Sequence, residues 1–364
     1  MHHKTILYCV LNWGLGHATR SIPVIRALRG RGDRVIIAST DRSLALLRGE
    51  FPDCRFVDLP DYNIRYSRTR AGLLPGLLLQ MPGIFHRLRQ EQASVETLVD
   101  RFRPDAVVSD NRYGCYSTRV PSHFMTHQLR FQVPAGFGRA AVISEIFNRF
   151  CFQRYRTVWV PDDAGSPNLS GELSHACRLA GHPKVHYVGP LTSLESGRPD
   201  RRREDADILF IISGPEPQRT VFERIVLERI GEVKGRKVVV LGKPEAAAGG
   251  SPENTADAIV HPHLKRRELI PLMRRARLVV CRSGYSTLME LAAMGKAAIL
   301  VPTPGQTEQE YLGRHASRSG FFHCVPQKYF DLREALSEAE RLQRGNRMFL
   351  RFNRTDEILR LLDG

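Results

Sequence analysis

Two residues in the first half of the chain have side chains suited to moving a proton. His17 lies between a predicted strand and a predicted helix, and its imidazole can accept a proton from a hydroxyl near neutral pH. Asp110 ends the segment AVVSD, a predicted strand, where its carboxylate could orient that imidazole. A lone histidine is more often a packing or capping residue, and Asp110 would equally suit the N-cap of a following helix. Both interpretations therefore stay open from these two residues alone.

The segment around His17, NWGLGHATR, also contains Gly14 and Gly16 just before the predicted helix. Glycines let backbone N–H groups approach a ligand closely, and a helix N-terminus favours an anion. The pattern differs from the dinucleotide-binding fingerprint, because Thr19 stands where a third glycine would be. It indicates an anion-binding loop without identifying the ligand.

The segment 281–314, CRSGYSTLMELAAMGKAAILVPTPGQTEQEYLGR, carries the most specific pattern in the chain. A strand at 278–281 leads into Ser283 and Gly284, where the glycine permits a tight turn before a helix. The first turn of that helix presents free N–H groups to a diphosphate. Ser286 and Thr287 add hydroxyl donors in the same turn.

Further along the same helix and in the loop after it stand acceptors suited to a nucleoside and a sugar. Glu290 can accept hydrogen bonds from both hydroxyls of a ribose. The loop 302–310 follows the next strand and offers polar side chains to sugar hydroxyls; they include Gln306, Gln309 and Glu310. The segment therefore predicts a site for a nucleoside diphosphate linked to a sugar.

Strands and helices alternate along both halves of the chain. Predicted strands lie at 5–11, 34–38, 106–109, 157–160 and 185–188, and again at 208–212, 237–241, 258–260, 278–281 and 297–301. Amphipathic stretches such as 21–29 and 90–103 separate them. This alternation predicts an α/β protein with parallel sheets.

A polar, charge-rich stretch at 191–206 interrupts the alternation and predicts a linker. The chain then divides into an N-terminal domain, 1–190, and a C-terminal domain, 207–345, each doubly wound and Rossmann-like. A helix at about 346–362 could cross back and pack on the first domain. Because such sheets bind ligands at the carboxyl ends of their strands, we expect the two domains to face a central cleft.

These motifs resemble the nucleotide-sugar glycosyltransferases of the GT-B fold, in the branch that contains the peptidoglycan (lipid II) N-acetylglucosaminyltransferase. The resemblance rests on the CRSG turn, the step MELAAMGKAAILVP, the following Gln/Glu loop and the N-terminal GLGHATR loop. It implies an N-terminal acceptor-binding domain and a C-terminal domain for the nucleotide-sugar donor.

The resemblance also implies roles for individual residues. Glu290 matches a ribose-binding glutamate, and Gln309 and Glu310 fall where the family has a Gln-Gln pair. Residues implied to contact the donor in addition are Gly14, Gly16, Ser213, Gly214, Arg282, Ser283, Gly284, Ser286, Thr287 and Gln306. A His–Asp base in related enzymes supports His17 and Asp110 as the catalytic pair, and uracil is expected at backbone near 263–264.

The chain departs from the family in two places. The second glycine loop reads SGPEPQR, with two prolines and one glycine after Ser213, which makes a phosphate contact there doubtful. Glu310 replaces a glutamine and could change which sugar is selected. The resemblance implies inversion without a metal, since the helix N-terminus replaces a cation at the diphosphate. The DxD at 205–207 lies in the predicted linker, where a solvated role is expected.

The charge distribution points to an anionic partner. The chain carries 54 Lys and Arg against 38 Asp and Glu, and its first 190 residues carry 25 against 15. The apolar segment 71–85 is flanked by arginines, namely Arg65, Arg68, Arg70, Arg87 and Arg89. Residues 112–156 repeat the pattern, and both segments suit an anionic membrane surface. Buried helices with solvated arginines remain the alternative for each.

Several other classes of protein are disfavoured. No nucleic-acid-binding module is recognisable, so no nucleic-acid partner is expected. No stretch of about 20 apolar residues predicts a spanning helix, and the N-terminus reads as a strand and not as a signal peptide. Seven cysteines without metal-ligand spacing predict neither a disulfide framework nor structural zinc. The expected location is the cytoplasm, peripheral on the inner face of the membrane; no oligomeric state is predicted.

The sequence thus predicts a metal-independent, inverting glycosyltransferase. It would move N-acetylglucosamine or another hexose from a UDP-sugar, used as a co-substrate with no cofactor, to a lipid-linked or cell-envelope acceptor. Two alternatives are a nucleotide-sugar hydrolase or epimerase on the same fold, and a non-catalytic subunit that binds sugar nucleotides.

Overall fold

The computed structural model describes residues 3–60, 73–133, 138–194, 206–243, 253–318, 320, 322–342, 350 and 352–364. The chain forms two compact units, Met1–Ser193 with Leu350–Gly364, and Leu194–Phe349. No helix in the described part of the chain is long and apolar enough to cross a bilayer. All seven cysteines are free thiols.

The first unit is built on a parallel sheet of seven strands in the order β3-β2-β1-β4-β5-β6-β7. The strands are β1 (Thr5–Val10), β2 (Arg34–Ser39), β3 (Arg55–Asp58), β4 (Ala106–Asp110), β5 (Ser122–Met125), β6 (Thr157–Val160) and β7 (Val185–Tyr187). The connecting helices are α1 (Gly16–Gly30), α2 (Asp41–Glu50), α3 (Leu73–Phe102) and α4 (Gly138–Phe152). Parallel strands require helices on both faces of the sheet, which explains why β1, β4 and β6 are buried along almost their whole length.

Two strands of this sheet were not predicted. Both β3, RFVD, and β5, SHFM, have only four residues and include charged or polar side chains, so neither forms an apolar run. The sheet supplies the pairing that their local sequence does not indicate.

Helix α1 begins five residues earlier than the predicted helix at 21–29. Pro23 is typical of a first helical turn, which favours a start near residue 21. In the structure Pro23 lies inside the helix, and Gly16 is its first residue. The consequence is that His17 and Arg20 belong to the helix and not to a loop.

The second unit is built on another seven-stranded sheet, in the order β10-β11-β9-β8-β12-β13-β14. Its strands are β8 (Ala206–Ile211), β9 (Lys237–Val240), β10 (Glu253–Asn254), β11 (Ile259–His261), β12 (Ala276–Cys281), β13 (Ala298–Leu300) and β14 (His323–Cys324). Only the edge pair β10–β11 is antiparallel among the described strands. The helices are α5 (Gln218–Arg229), α6 (Arg266–Arg275), α7 (Tyr285–Met294), α8 (Thr307–Arg318) and α9 (Leu332–Leu342). The prediction of two parallel-sheet α/β domains is confirmed.

The last helix, α10 (Thr355–Asp363), packs on the first unit. Ile358 and Leu362 join its hydrophobic core, and burial of each such side chain contributes about 1.5–3 kcal/mol. Lys4 and Arg31 both pair with Asp363. The helix starts later than the predicted 346, because Asn353 has φ +53°, a left-handed conformation that does not continue a helix.

Candidate functional site

The carboxyl edge of the first sheet brings His17 and Asp110 together. His17 is in the first turn of α1, which follows β1, and Asp110 is the last residue of the neighbouring strand β4. Nδ1 of His17 lies 2.9 Å from Oδ1 of Asp110. Residues 111–121 after Asp110 contain no helix, so the alternative role of Asp110 as an N-cap is wrong.

Asp110 is completely buried and carries its charge there because of the groups around it. Nε of Arg20 donates to both carboxylate oxygens at 3.1 and 2.9 Å, and the hydroxyl of Ser21 donates to Oδ2 at 2.9 Å. Burial opposes ionisation, but the charge of Arg20 and the imidazole of His17 outweigh it and hold the pKa of Asp110 below its ordinary value. The carboxylate is therefore ionised at neutral pH.

His17 is arranged as a proton acceptor. Its side chain is 12% exposed. Burial and the nearby Arg20 lower its pKa below the ordinary value, although Asp110 opposes this shift. A neutral imidazole that faces an ionised carboxylate donates from Nδ1, which leaves the lone pair on Nε2. The geometry is that of a general base held in one orientation by a carboxylate.

Three polar residues at this edge were missed in the sequence. Arg20 and Ser21 lie three and four residues after His17, a spacing that places all three on one face of a helix. His127 follows the unpredicted strand β5, and its Nδ1 lies 3.0 Å from NH1 of Arg20. A helix predicted to start at Gly16, where α1 does start, would have placed Arg20 and Ser21 beside His17.

Gly14 and Gly16, at the start of α1, have separate roles. Gly14 has φ +71°, a conformation that side-chain-bearing residues rarely adopt, and the space where a Cβ would lie is open. Gly16 is the first helical residue, so the loop ends one residue before His17. Gly14 therefore shapes the turn that delivers His17.

In the second unit, three loops meet at the carboxyl edge of the sheet, after the neighbouring strands β8, β12 and β13. Arg282 joins them. Its buried guanidinium donates to four backbone carbonyls, those of Ser213, Gln218, Val301 and Pro302. It also stacks 4.3 Å over the ring of Phe222, and burial lowers its pKa to about 10.

These contacts give Arg282 a structural role within the protein, and its predicted contact with the donor stays a prediction. A guanidinium buried among four carbonyls is committed to holding the loops, because leaving buried carbonyls unpaired is costly. The carbonyl of Ser213 accepts from Arg282, and Gly214 has φ +117° with Thr303 and Arg282 close to the position that a Cβ would occupy. Arg282 positions the edge of the site.

The N-terminus of α7 has free space beside its backbone, where a ligand could bind. Gly284 is the N-cap with φ −71° and ψ 144°, an extended conformation that any residue adopts, so the expected tight turn is not the reason for this glycine. The nearest atom to a Cβ placed there is Oγ1 of Thr287, 3.9 Å away. Within the described chain, the half-buried hydroxyls of Ser286 and Thr287 have no hydrogen-bond partner. The helix N-terminus thus presents amides and hydroxyls beside an uncovered backbone. Ser283 differs, because its buried hydroxyl donates to the carbonyl of Gln309 at 2.7 Å.

Glu290 lies in the second turn of α7 and forms an ion pair that was not predicted. NH1 of Arg266, the first residue of α6, lies 2.6 Å from Oε1 of Glu290. Both side chains are half-buried, at 18% and 14% exposure. One carboxylate oxygen is thereby fixed in place by a cation.

The polar loop after β13 is held by its own glutamines and glutamate. Oε1 of Gln309 accepts from the amide of Thr303 at 3.0 Å, and Oε1 of Glu310 accepts from the amide of Gly305 at 3.0 Å. The amide of Gln309 also donates to Gln306. The three side chains predicted to meet a sugar therefore lie together and support one loop.

The other residues singled out in the sequence lie as follows. Of the DxD, Asp205 lies outside the described residues, and Asp207 accepts from the backbone amide of Arg236 at 2.6 Å. His263 and Leu264 lie between β11 and α6. In the described part of the chain, no three His, Cys, Asp or Glu side chains are placed to hold a metal ion together. Arg65, Arg68 and Arg70 lie outside the described residues.

Comparison with known proteins places this geometry in a family. Residues 266–349 match the glycosyltransferase family 28 C-terminal domain, and residues 4–124 match glycosyl transferase family 1. The chain is 30% identical over 310 residues to the UDP-N-acetylglucosamine–N-acetylmuramyl-(pentapeptide) pyrophosphoryl-undecaprenol N-acetylglucosamine transferase of Methylobacterium sp. (strain 4-46), covering 81% of this chain and 76% of that protein. The enzyme of the same description from Chelativorans sp. (strain BNC1) is 27% identical over 343 residues, covering 90% and 84%.

Solved structures agree on the fold. The kitacinnamycin glycosyltransferase superimposes with a TM-score of 0.64 at 17% identity, over 100% of both chains. The MurG protein of Acinetobacter baumannii superimposes with a TM-score of 0.58 at 14% identity, over 99% of both chains. The expected GT-B fold is confirmed. The chain therefore belongs to the family of the UDP-N-acetylglucosamine–N-acetylmuramyl-(pentapeptide) pyrophosphoryl-undecaprenol N-acetylglucosamine transferases, which are glycosyltransferases.

Proposed function

We propose that the protein transfers N-acetylglucosamine from UDP-N-acetylglucosamine to a sugar hydroxyl of a lipid-linked pyrophosphate acceptor. Family membership supports a UDP-sugar-dependent transferase with a lipid-linked acceptor, and supports neither hydrolysis nor epimerisation. The observation that carries the proposal is the pair of His17 and Asp110, with 2.9 Å between Nδ1 and Oδ1. This pair has the form of a base for a hydroxyl nucleophile.

In the proposed reaction Nε2 of His17 removes the proton of the acceptor hydroxyl. The hydroxyl oxygen forms a bond to the anomeric carbon as the bond from that carbon to the diphosphate oxygen breaks, so the configuration inverts. The proton resides on His17, where the ionised Asp110 stabilises the imidazolium. UDP leaves with the bonding electron pair.

The negative charge that develops on the leaving diphosphate needs a stabiliser. We assign this to the first turn of α7, where the amides of Ser286 and Thr287 have no intrahelical acceptor and their hydroxyls add donors. A side chain at Gly284 would project into this space. A helix N-terminus of this kind supports transfer without a metal ion.

The remaining donor contacts are assigned by chemistry. Glu290 would accept hydrogen bonds from the ribose hydroxyls through its carboxylate. The loop held by Gln306, Gln309 and Glu310 would meet the transferred sugar. Gly214, in the loop after β8, would lie beside the same ligand.

We also propose that the first unit docks on an anionic membrane. Several apolar side chains on α4 and at one position of α3 are exposed, namely Phe85, Val142, Ile143, Ile146 and Phe150. We call them the α4 apolar surface. Exposed arginines accompany them, including Arg87, Arg89 and Arg149. Apolar contact with cationic neighbours suits a negatively charged lipid surface.

Vesicle sedimentation tests this docking. Binding to vesicles with phosphatidylglycerol should exceed binding to pure phosphatidylcholine, and the double substitution Ile143→Ser with Ile146→Ser should reduce it at least several-fold. Leu227→Ser in the second unit removes an exposed apolar side chain outside the α4 apolar surface and serves as the control. Equal binding of the double variant and the control would reject the α4 apolar surface.

A direct assay tests the function. Purified protein with radiolabelled UDP-N-acetylglucosamine and an acceptor in which a sugar is linked through pyrophosphate to a short polyprenyl chain should yield labelled lipid product, and His17→Ala should lower the rate by about 10²–10⁴-fold. Thermal shift with UDP, GDP and TDP compares the nucleotides. Release of free sugar without acceptor, or no turnover with any acceptor, would overturn the proposal.

A further inference from the structure

Arg20 occupies a position that the proposed reaction does not use. It lies on the buried face of α1, one turn after His17, and only 3% of the residue is exposed. A buried arginine is rare unless it is paired. Its guanidinium has partners on two sides, the Asp110 carboxylate and His127.

The contact with His127 fixes the guanidinium from its other side. A guanidinium nitrogen always donates, so Nδ1 of His127, 3.0 Å from Nη1 of Arg20, is the acceptor of this hydrogen bond. His127 thereby orients Arg20 against Asp110.

The contact with Asp110 affects His17 through charge. Arg20 and His17 bind the same carboxylate, so a proton on His17 would add a second cation to a buried site that already holds one. Repulsion between like charges disfavours that protonation. The other titratable groups facing the site are Tyr8, whose pKa is raised by burial, Asp110 itself, and His127, which lowers the pKa of His17 in the same sense as Arg20.

We propose that Arg20 is a positioning residue of the proton-transfer site, whose guanidinium, held between Asp110 and Nδ1 of His127, keeps His17 neutral with Nε2 open to accept a proton. This rests on the proposed role of His17 as the base. Arg20 touches no reacting atom. It acts through the carboxylate that it shares with His17.

The first test follows the titration of His17 directly. In the full-length protein labelled with ¹³C/¹⁵N-histidine, the His17 signals are assigned by their loss in His17→Gln. Arg20→Gln should raise the pKa of His17 by about 1 unit, because one neighbouring positive charge is removed. Arg26→Gln is the matched control: it removes an arginine from the exposed side of the same helix, where the side chain is 53% exposed, and should leave His17 unchanged. An unchanged His17 titration in folded Arg20→Gln overturns the proposal.

The second test uses activity and remains informative if Arg20→Gln does not fold. Arg20→Lys retains the charge but loses the forked contact, so we expect an unshifted acid limb of kcat/KM with kcat lowered about 10-fold. His127→Phe removes the acceptor for NH1 and should also lower kcat, whereas His127→Gln, which restores an acceptor, should recover part of it. Wild-type kcat in both Arg20→Lys and His127→Phe would reject the positioning role.

The two proposals fail in different ways. The titration of His17 needs no turnover, so it tests Arg20 even in a protein that transfers no sugar. A wild-type protein without transferase activity overturns the proposed function, whatever the titration shows. An active wild type with an unshifted Arg20→Gln titration overturns only the inference about Arg20.

Discussion

The carboxyl edges of the two sheets are built in opposite ways. In the first unit the polar side chains bind one another: His17, Asp110, Arg20 and His127 form a continuous buried network. In the second unit they bind mainly backbone, as Arg282 does with its four carbonyls. The difference separates a site whose chemistry is set by charge from one whose shape is set by loops.

This difference follows from the proposed tasks. A base must hold a defined proton affinity before the substrate arrives, which requires nearby charges in fixed positions. A donor site must instead present amides and hydroxyls to a ligand that brings its own negative charge. Pairing side chains with each other suits the first task, and fixing the backbone suits the second.

Asp110→Asn should break the network of the first unit with the largest effect. The amide cannot stabilise a protonated His17, so kcat of sugar transfer should fall about 10²–10⁴-fold. We assign UDP binding to the other unit, so the affinity for UDP should not change. Steady-state kinetics and calorimetric titration with UDP measure the two effects, and a parallel loss of UDP affinity would contradict the separation of roles.

Arg282→Ala should break the loop scaffold of the second unit. Four buried carbonyls lose their donor, and we expect the free energy of unfolding to fall by about 3 kcal/mol or more. Arg229→Ala in the same unit, where the arginine is 44% exposed and pairs with Asp331, is the control and should cost less than 1 kcal/mol. Urea denaturation of each variant provides the measurement. Similar losses for the two arginines would show that Arg282 is not the scaffold.

His123 sharpens the comparison within the first unit, because it is a buried histidine with no carboxylate beside it. Nδ1 lies 2.7 Å from the Thr157 hydroxyl, and Nε2 is buried without a hydrogen-bond partner among the described residues. Burial, with the charges of Arg156 and Lys4, lowers its pKa to about 4. The folded state therefore binds fewer protons here than the unfolded state does.

Stability from His123 should accordingly be complete above about pH 6.5 and be lost as pH falls towards 4, by about 3 kcal/mol. His123→Phe keeps a ring against Trp159 and should flatten this part of the pH dependence. Chemical denaturation at several pH values between 4 and 7 measures it. An unchanged slope in the variant would exclude His123 as the source.

Glu290→Gln should give the smallest effect. It tests the Arg266–Glu290 ion pair, which we assign to the donor site. The amide is a weaker acceptor for ribose hydroxyls, so UDP affinity should fall about 10-fold, or 1.4 kcal/mol. Glu223→Gln is a matched control, since Glu223 is also ion-paired in this unit and is 15% exposed against 14% for Glu290. Calorimetric titration with UDP compares them. If Glu290→Gln and Glu223→Gln bind UDP with equal affinity, Glu290 does not contact the nucleotide.

Much of the fold was predictable because strands such as β1, β4, β8 and β12 each contain a run of apolar residues, which local sequence reveals. Strands β3 and β5 were missed because four residues with polar side chains carry too little local signal. The candidate pair His17 and Asp110 was predictable because both follow strands that end at one edge of a sheet. Arg20 and His127 were not, since one depended on the true start of α1 and the other on β5.

The sequence by itself determined the alternation of strands and helices, the glycine-bearing turns and the residue types that suit sugar transfer from a nucleotide donor. These depend on short-range patterns and on side-chain chemistry. The tertiary structure decided which of those residues act on ligands and which act on the protein. Arg282 and Arg20 are both buried arginines close to candidate site residues. Arg282 donates to backbone carbonyls, whereas Arg20 donates to the carboxylate of Asp110. Their partners are distant in sequence, so only the packing of the strands and helices brings them within hydrogen-bond distance.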